Sequence, residues 1–502
     1  MTNETLKAAE KHYERLVDLS NAQSILSWDQ EVMMPPGGAE TRALTMSALT
    51  RVVHECATDK TFVREVRSLD RSRDGLKPQE RRTVELLARR VKEATAIPAD
   101  LAAELSAHRS RAVQAWRGAR AADDFGAFLP QLEKMVELQR RVARAKAGKG
   151  GDAYDALLDD YEPNATTAQL DPLLGELREL TVPLVARVRR SKAKFDMRPL
   201  VGRFEPDAQR RLVADVTSAM GIDGSRSRLD VSTHPFCGGV GPVDVRMTGR
   251  FDPKDLRGGL FGAIHEAGHG LYEQGLDPKR TRHPLGGAIS MAIHESQSRL
   301  WENQIARSRP FWKHWLPRLK KLFPKQLAGV SLDAMWRAAN AMQPSMIRVE
   351  ADELTYNLHI VLRYEIERDL ISGALRPKDL PARWNDTMHA MLGIRPKNDA
   401  EGCMQDIHWP AGYFGYFPTY SVGNLYAAQV MEAARAAIPD LDARVAKGDL
   451  VTLREWLRDR IHRHDRVYTA DQIVKRVTGK KLSVEPFRAY ITSKVDALYP
   501  EG

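Results

Sequence analysis

The chain has 502 residues and a formal net charge of +10, from 76 basic and 66 acidic side chains. Hydrophobic residues make up 43% of it and charged residues 28%, which is ordinary for a globular protein and excludes a disordered chain. The basic excess is spread thinly and comes with no zinc-finger, RNA-recognition or basic-zipper pattern, so we expect no nucleic-acid partner.

The cysteines and the N-terminal segment bear on where the protein works. Cys56, Cys237 and Cys403 give no disulfide framework and fit a reducing compartment. The N-terminal segment is polar and charged, and it lacks the apolar core of a signal peptide. Because no run approaches the roughly 20 apolar residues that span a bilayer, we predict a cytoplasmic protein without a membrane partner.

Most of the chain has the apolar spacing of helices. Prolines and glycines fall between the periodic segments, as expected where helices stop. The clearest periodic positions are Leu6, Tyr13, Leu16 and Leu19, then Val84, Leu87 and Val91, and later the apolar residues of segment 352–370.

One stretch, VGPVDVRMTGRF (240–251), alternates between apolar and polar residues and predicts a strand with one polar face. The apolar positions are Val243, Val245 and Met247, and the polar ones are Asp244, Arg246 and Thr248. A free edge on this strand could hold an extended peptide by main-chain hydrogen bonds, with the polar residues as candidate substrate contacts. The alternative is a hairpin that faces solvent.

The stretch GGLFGAIHEAGHGLYEQG (258–275) contains an H-E-x-x-H motif. On a helix, His265 and His269 lie one turn apart on the same face, where two imidazoles can share a metal ion. Glu266 then lies beside the metal, where it can accept a proton from water. Tyr272 and Gly275 occupy the positions that a metzincin would fill with glycine and histidine, so that class is excluded. Small residues on this helix allow other groups to approach it closely: Ala267, Gly268 and Gly270.

A catalytic metal of this kind needs a third protein ligand, and the following segment HESQSRLWENQ supplies three candidates. We choose Glu295, which follows His269 by enough residues for a loop and a returning helix, and we keep Glu302 and His294 as alternatives. Glu273 lies a further turn along the first helix, too far up its axis to share the ion. Glu295 and the two motif histidines are called the metal triad below.

Several segments, in this order, resemble the carboxypeptidase Taq family of zinc metallocarboxypeptidases. The five motifs are DVRMT (244–248), HEAGH (265–269), HESQ (294–297), IRVEAD (347–352) and GCMQDIHW (402–409). WDQEVMMPPGG (28–38) and GYFGYFPTY (412–420) resemble the N-terminal and C-terminal segments of the same family.

The resemblance implies an all-α fold, similar to gluzincin peptidases, in which helices enclose a deep central groove with the metal at its floor. A small β-sheet should lie beside the metal helix. Residues 1–502 should form a single metallocarboxypeptidase domain with two helical lobes that flank the groove. The family also implies a homodimer that releases amino acids, with broad specificity, from the free C-termini of peptides.

The chemistry follows from the residue types. Zinc, or cobalt or manganese in its place, should bind once per chain at the metal triad, and Glu266 should act as the general base. A tetrahedral intermediate needs a further hydrogen-bond donor for its oxyanion, and His408 and Tyr420 are the candidates.

An exopeptidase must also recognise the end of its substrate. Arginine binds a carboxylate through two parallel hydrogen bonds, and the motifs contain two candidates, Arg348 and Arg246, of which we favour Arg348. Gln405 is expected to assist in substrate binding. Asp406 and His294 are expected to lie behind the ligands or behind His408 and to orient them.

Two other functions stay open on the residues alone. A zinc oligopeptidase that cuts internal bonds would use the same metal and base without an anchor for the chain end. A non-catalytic protein with a structural metal, or a nucleic-acid binder, is the remote alternative, and it would need four protein ligands where only three are evident.

Overall fold

The computed structural model describes residues 2–501, and over this range it is mainly helical with one small sheet, which confirms the predicted fold class. The helices are α1 Thr2–Val32, α2 Ala39–Ala57, α3 Lys60–Arg71, α4 Pro78–Thr95, α5 Ala99–Ala122, α6 Phe125–Ala147, α7 Ala153–Leu158, α8 Thr167–Arg190, α9 Pro206–Met220, α10 Leu256–Gly275, α11 Met291–Arg299, α12 Arg309–Leu322, α13 Leu332–Ala339, α14 Tyr356–Ser372, α15 Leu380–Leu392, α16 Pro418–Ala437, α17 Leu441–Val445, α18 Val451–Arg460, α19 Ala470–Thr478 and α20 Glu485–Leu498. The strands are β1 Ser227–Val231, β2 Cys237–Gly239 and β3 Val245–Gly249.

The periodic segments form the predicted helices α1, α4 and α14, and α14 is buried on nearly every side. In α4, Val84, Leu87 and Val91 are all buried. The two helices of the metal triad begin at side-chain caps: Asp255 accepts a hydrogen bond at the start of α10, and Ser290 does so at the start of α11. These caps fix where the helical turns that carry the triad begin.

The sheet has the strand order β1-β3-β2, with β3 parallel to β1 and antiparallel to β2. The predicted strand is β3, but the prediction that it has a free edge is wrong, because a neighbour pairs with each of its sides. β1 and β2 have only five and three residues, so neither shows a convincing alternation in the sequence. The free edge on the β2 side belongs to β2.

Helices α1–α4 are packed separately from the rest of the chain. The main apolar core extends from Leu101 to Tyr499, whereas α1–α4 enclose two small clusters of their own. Polar contacts join the two parts, such as the ion pairs Arg89–Asp159 at 2.9 Å and Arg282–Asp18 at 2.6 Å. This N-terminal unit is therefore attached largely through charges.

A groove of about 1550 Å³ runs between the N-terminal unit and the main body. Residues of α1, α3 and α4 line one wall, and residues of α10, α11 and the start of α16 line the other. The predicted central groove is thus present, and both parts of the chain form it.

Glycines allow the helices of the groove floor to cross closely. A Cβ on Gly268 would lie 2.6 Å from the Cα of Ser298, so α10 and α11 can meet only with glycine there. A Cβ on Gly270 would lie 2.9 Å from the Sδ of Met247, which is on β3. The small residues of the H-E-x-x-H helix therefore place it against both the sheet and α11.

None of the helices in residues 2–501 combines the length and the hydropathy that a membrane crossing requires. All three cysteines are unpaired, with Cys56 and Cys403 buried.

Candidate metal centre and active site

The structure brings the metal triad together at the floor of the groove. His265 and His269 come from α10 and Glu295 from α11, and one ligand atom of each lies within 4.8 Å of the others. The Nε2 atoms of His265 and His269 lie 3.6 and 3.4 Å from Oε2 of Glu295. Three donor atoms thus converge on one point.

These separations fit a metal ion. A tetrahedral zinc with zinc–nitrogen distances of about 2.0–2.1 Å separates its ligand atoms by roughly 3.3 Å. The two measured distances to Glu295 are close to that value without any movement. A set of two imidazoles and one carboxylate also leaves a position open for substrate, which a catalytic site requires.

Each histidine of the triad is supported on its far side. Nδ1 of His265 lies 2.8 Å from Oε2 of Glu302, and Nδ1 of His269 meets Nδ1 of His294. Glu302 therefore lies behind the imidazole of His265 rather than on the side of the ion. Glu302 comes from a π-helical turn, Leu300–Ile305, that continues α11.

Two carboxylates surround the imidazoles and change their proton affinity. Burial alone would lower the pKa of His265, but Glu295 and Glu302 outweigh it and raise the pKa to about 9. Burial and the neighbouring His294 lower the pKa of His269 to about 3. Glu295 and Glu302 thus stabilise a positive charge next to His265, and a divalent cation bound there would be stabilised in the same way.

Glu266 lies in the groove next to the triad and is 6% exposed. Burial raises the pKa of its carboxyl to about 7. Among residues 2–501 we find no hydrogen-bond partner for this carboxylate. It is therefore free to exchange a proton with a group in the groove.

Tyr420 lies at the start of α16, and His408 packs behind it. Tyr420 lines the groove, and burial raises the pKa of its hydroxyl well above the ordinary value, so it stays protonated. The ring of His408 packs 4.4 Å from that of Phe417, one layer behind the groove. Burial lowers the pKa of His408 to about 4, which keeps the imidazole neutral. Both side chains can donate a hydrogen bond.

Arg348 is 6% exposed and lies behind Tyr420, with its guanidinium 5.2 Å from that ring. It donates to Oδ1 of Asp406 from Nε at 3.1 Å and from Nη2 at 2.8 Å, and to the hydroxyl of Tyr356 at 3.1 Å. Three of the five N–H groups of an arginine are thus engaged, and one on each terminal nitrogen remains.

Gln405 and Asp406 both act on the segment that carries Arg348. Oε1 of Gln405 accepts from the backbone N–H of Arg348 at 2.8 Å, and its amide nitrogen donates to Met346 and Glu401 carbonyls. All of these partners belong to the protein backbone. Their arrangement holds Arg348 in position and leaves Gln405 little capacity for a substrate.

The residues predicted on the strand are not among those that line the groove. Arg246 pairs with Asp244 at 2.8 Å, and its guanidinium lies 4.7 Å from the ring of Trp28 on α1. Arg228 on β1 lies over the same ring at 4.7 Å. The DVRMT and WDQ segments therefore meet each other, and they attach the N-terminal unit to the sheet. Thr248 is fully buried and bonds to the backbone of Phe236.

Some residues of the site are missed by the sequence reasoning. Arg299 bridges Glu295 at 2.7 Å and Glu302 at 3.1 Å, and the spacing of these charges on one helical face is a signal that could have identified it. Cys237 on β2 lines the groove, although so short a strand shows no pattern. Gly423 on α16 lies against Glu295, and no local signal marks it.

The geometry agrees with a comparison to known families. A family model described as carboxypeptidase Taq (M32) metallopeptidase matches residues 8–495. The chain belongs to this family. It is therefore a metal-dependent carboxypeptidase, a hydrolase of peptides, as the set of motifs predicts.

Relatives of the M32 family match almost end to end. The chain is 41% identical over 491 residues to thermostable carboxypeptidase 1 of Thermus thermophilus, covering 96% of each chain. It is 37% identical to carboxypeptidase 1 of Bacillus subtilis, covering 97% of each. The crystal structure of the M32 carboxypeptidase from Deinococcus radiodurans has a TM-score of 0.95 and 37% identity, over 99% of this chain and 100% of that one.

Proposed function

We propose that this M32 enzyme uses zinc to remove single amino acids, with broad specificity, from the free C-termini of peptides. The observation that carries the proposal is the metal triad in the groove beside Glu266, a buried carboxylate without a hydrogen-bond partner among residues 2–501. The metal triad supplies a place for the ion, and Glu266 supplies a base.

Nε2 of His265, Nε2 of His269 and Oε2 of Glu295 are the proposed ligand atoms. The position of Glu302 behind His265 supports Glu295 over Glu302 as the third ligand. A divalent cation bound there supplies a Lewis acid that polarises the scissile carbonyl and makes water a better nucleophile. Zinc suits two imidazoles and one carboxylate, and cobalt or manganese is accepted by the same donors.

The chain's own residues move the proton and stabilise charge. Glu266 accepts a proton from the attacking water and passes it to the leaving amine, which a carboxyl with a pKa of about 7 can do at neutral pH. Tyr420 donates to the oxyanion that forms on the carbonyl, because its hydroxyl keeps its proton and lines the groove. His408, neutral and one layer back, supports Tyr420 or takes its place.

The free edge of β2 is the proposed contact for the substrate backbone. Phe236 directs its own N–H and C=O toward Thr248 on β3, so the alternation of a strand turns the backbone of Cys237 outward. Cys237 lines the groove, so an extended peptide there could pair with the edge. This replaces the edge of β3 that the sequence suggests, and Asp244, Arg246 and Thr248 do not line the groove beside it.

Arg348 is the proposed reader of the C-terminal carboxylate. It lies against Tyr420, and one N–H on each of its terminal nitrogens has no partner among residues 2–501, whereas Arg246 lies against Trp28. Asp406, which pairs with Arg348, keeps the guanidinium in place. Gln405 also supports Arg348, because its side-chain oxygen accepts from the backbone N–H of Arg348.

The test compares matched peptides with a free or an amidated C-terminus. We expect the amidated peptide to be cut poorly. Arg348→Ala should lower kcat/KM on the free-acid peptide by an amount equivalent to about 2–5 kcal/mol of transition-state stabilisation, the scale for breaking a desolvated charge pair. Arg246→Ala is the control and should keep the preference for the free acid. If both variants keep that preference, neither arginine is the anchor. If in addition internal bonds are cut as well as terminal ones, the enzyme is an oligopeptidase.

Other proposals rest on the sequence and on the family resemblance. The chain is proposed to form a homodimer, to work in the cytoplasm without nucleic-acid or membrane partners, and to act as a single domain over residues 1–502. Light scattering coupled to gel filtration tests the dimer, and a mass near that of one chain, 56.4 kDa, would contradict it.

A further inference from the structure

A carboxylate outside the triad is linked to it through a second imidazole. Glu273 lies one turn beyond His269 on α10, and its Oε1 lies 2.8 Å from Nε2 of His294. The other nitrogen of His294, Nδ1, meets Nδ1 of His269 at 2.5 Å. The three side chains thus form a continuous line that ends at a metal ligand.

The direction of these hydrogen bonds follows from the chemistry of the end group. An ionised carboxylate only accepts, so Nε2 of His294 must carry the hydrogen in the bond to Glu273. A neutral imidazole has one hydrogen, and Nδ1 of His294 is therefore an acceptor. Nδ1 of His269 must then be the donor, which leaves the lone pair of its Nε2 facing Glu295.

We propose that Glu273, acting through His294, is a positioning residue that sets the tautomer of His269 for metal binding. The inference rests on the proposed function, because it takes the metal triad as the metal site. His265 needs no such intermediate, since Glu302 accepts directly from its Nδ1. His265 is thus oriented directly by the carboxylate of Glu302, and His269 is oriented by that of Glu273 through the ring of His294.

The surroundings hold the intermediate ring in place. The ring of Tyr272 lies 5.0 Å from that of His294, and its hydroxyl accepts from the backbone N–H of Ile289 at 3.0 Å. Tyr272 is fully buried, so it forms a fixed wall. His294 therefore keeps its orientation, so its hydrogen bond to Glu273 determines that the nitrogen facing His269 is an acceptor.

Glu273→Gln tests the inference, because glutamine keeps the shape but can donate as well as accept. We expect the affinity for zinc, measured by competition with a chromophoric chelator, to fall about 10- to 100-fold, the range for residues that orient a ligand. Glu179→Gln, on an exposed face of α8, is the matched control and should bind zinc like the wild type. Melting temperatures of the metal-free proteins separate this effect from unfolding.

A second measurement reads the tautomer itself. In ¹⁵N-histidine NMR spectra of the metal-free protein, with His269 assigned by its loss in His269→Gln, we expect the proton on Nδ1. In Glu273→Gln the signal should shift toward a mixture of tautomers.

The inference is overturned if His269 carries its proton on Nε2 in the wild type, or if Glu273→Gln binds zinc as tightly as the wild type. Glu302→Gln separates this from a failure of the proposed site. If Glu302→Gln weakens zinc and Glu273→Gln does not, only the relay is wrong. If neither of these nor Glu295→Gln weakens zinc, the site itself is elsewhere and the relay falls with it.

Discussion

Replacing Gly423 with alanine should weaken metal binding although no proposed ligand is replaced. Gly423 lies on α16 where that helix crosses α11, and a Cβ there would lie 2.8 Å from Cγ and 2.9 Å from Cβ of Glu295. The carbonyl oxygen of Ala292, also on α11, would be 3.2 Å away. The added methyl group therefore has no space unless Glu295 or one of the helices moves.

The size of the effect follows from these distances. Carbon atoms in contact prefer about 3.5–4.0 Å, so Glu295 must retreat by roughly 0.7 Å. Metal sites tolerate deviations of about 0.2 Å in ligand distance, so the carboxylate leaves its working position. We expect zinc affinity to fall about 10- to 100-fold, or about 1.4–2.7 kcal/mol. Overpacking should also cost about 1–3 kcal/mol of the free energy of unfolding.

The assay is zinc competition with a chelator, together with thermal unfolding of the metal-free protein. Gly262→Ala is the matched control, because Gly262 is a glycine of α10 with no other atom within 4 Å of the new Cβ. Alanine there should leave zinc affinity unchanged and stabilise the helix by up to about 1 kcal/mol. If Gly423→Ala binds zinc like Gly262→Ala and melts no lower, the close approach of α16 does not position Glu295, and the reasoning is refuted.

Three further predictions concern the metal and the base. Chelation should abolish hydrolysis and added zinc or cobalt should restore it; full activity at zero metal content, checked by elemental analysis, would contradict the metal site. Glu266→Gln should lower kcat by about 10²–10⁴-fold, as for loss of a general base, while about one metal per chain stays bound. A variant that loses its metal would instead make Glu266 a ligand. Glu295→Gln should weaken zinc more than Glu302→Gln does, and the opposite ranking would make Glu302 the third ligand.

The helices and the arrangement of the metal triad could be predicted from the sequence because their signals are local. Apolar spacing marks α4, and a four-residue step places His265 and His269 on one face. Placing Glu295 beside the two histidines needed only the length of one loop and one returning helix. These features depend on neighbours within a few turns of the chain.

The parts that could not be predicted depend on distant contacts. β2 is recognisable only through its pairing with β3, which leaves β3 without a free edge. The contact of Arg246 with Trp28 joins the sheet to α1, and no pattern near either residue indicates it. The role of Gly423 depends on where α16 crosses α11. A periodic pattern in the sequence says nothing about these contacts, because each contact joins segments that are far apart in the sequence.

The separate packing of the N-terminal unit has a consequence for how the enzyme loses activity. Because α1–α4 share no large apolar core with the body, their detachment exposes little apolar surface and costs less free energy than global unfolding. Amide hydrogens in α1–α4 should accordingly exchange sooner than those in α10 or α16. One wall of the groove would then separate while the helices of the body stay intact, so heat or salt should inactivate the enzyme before circular dichroism records much loss of helix.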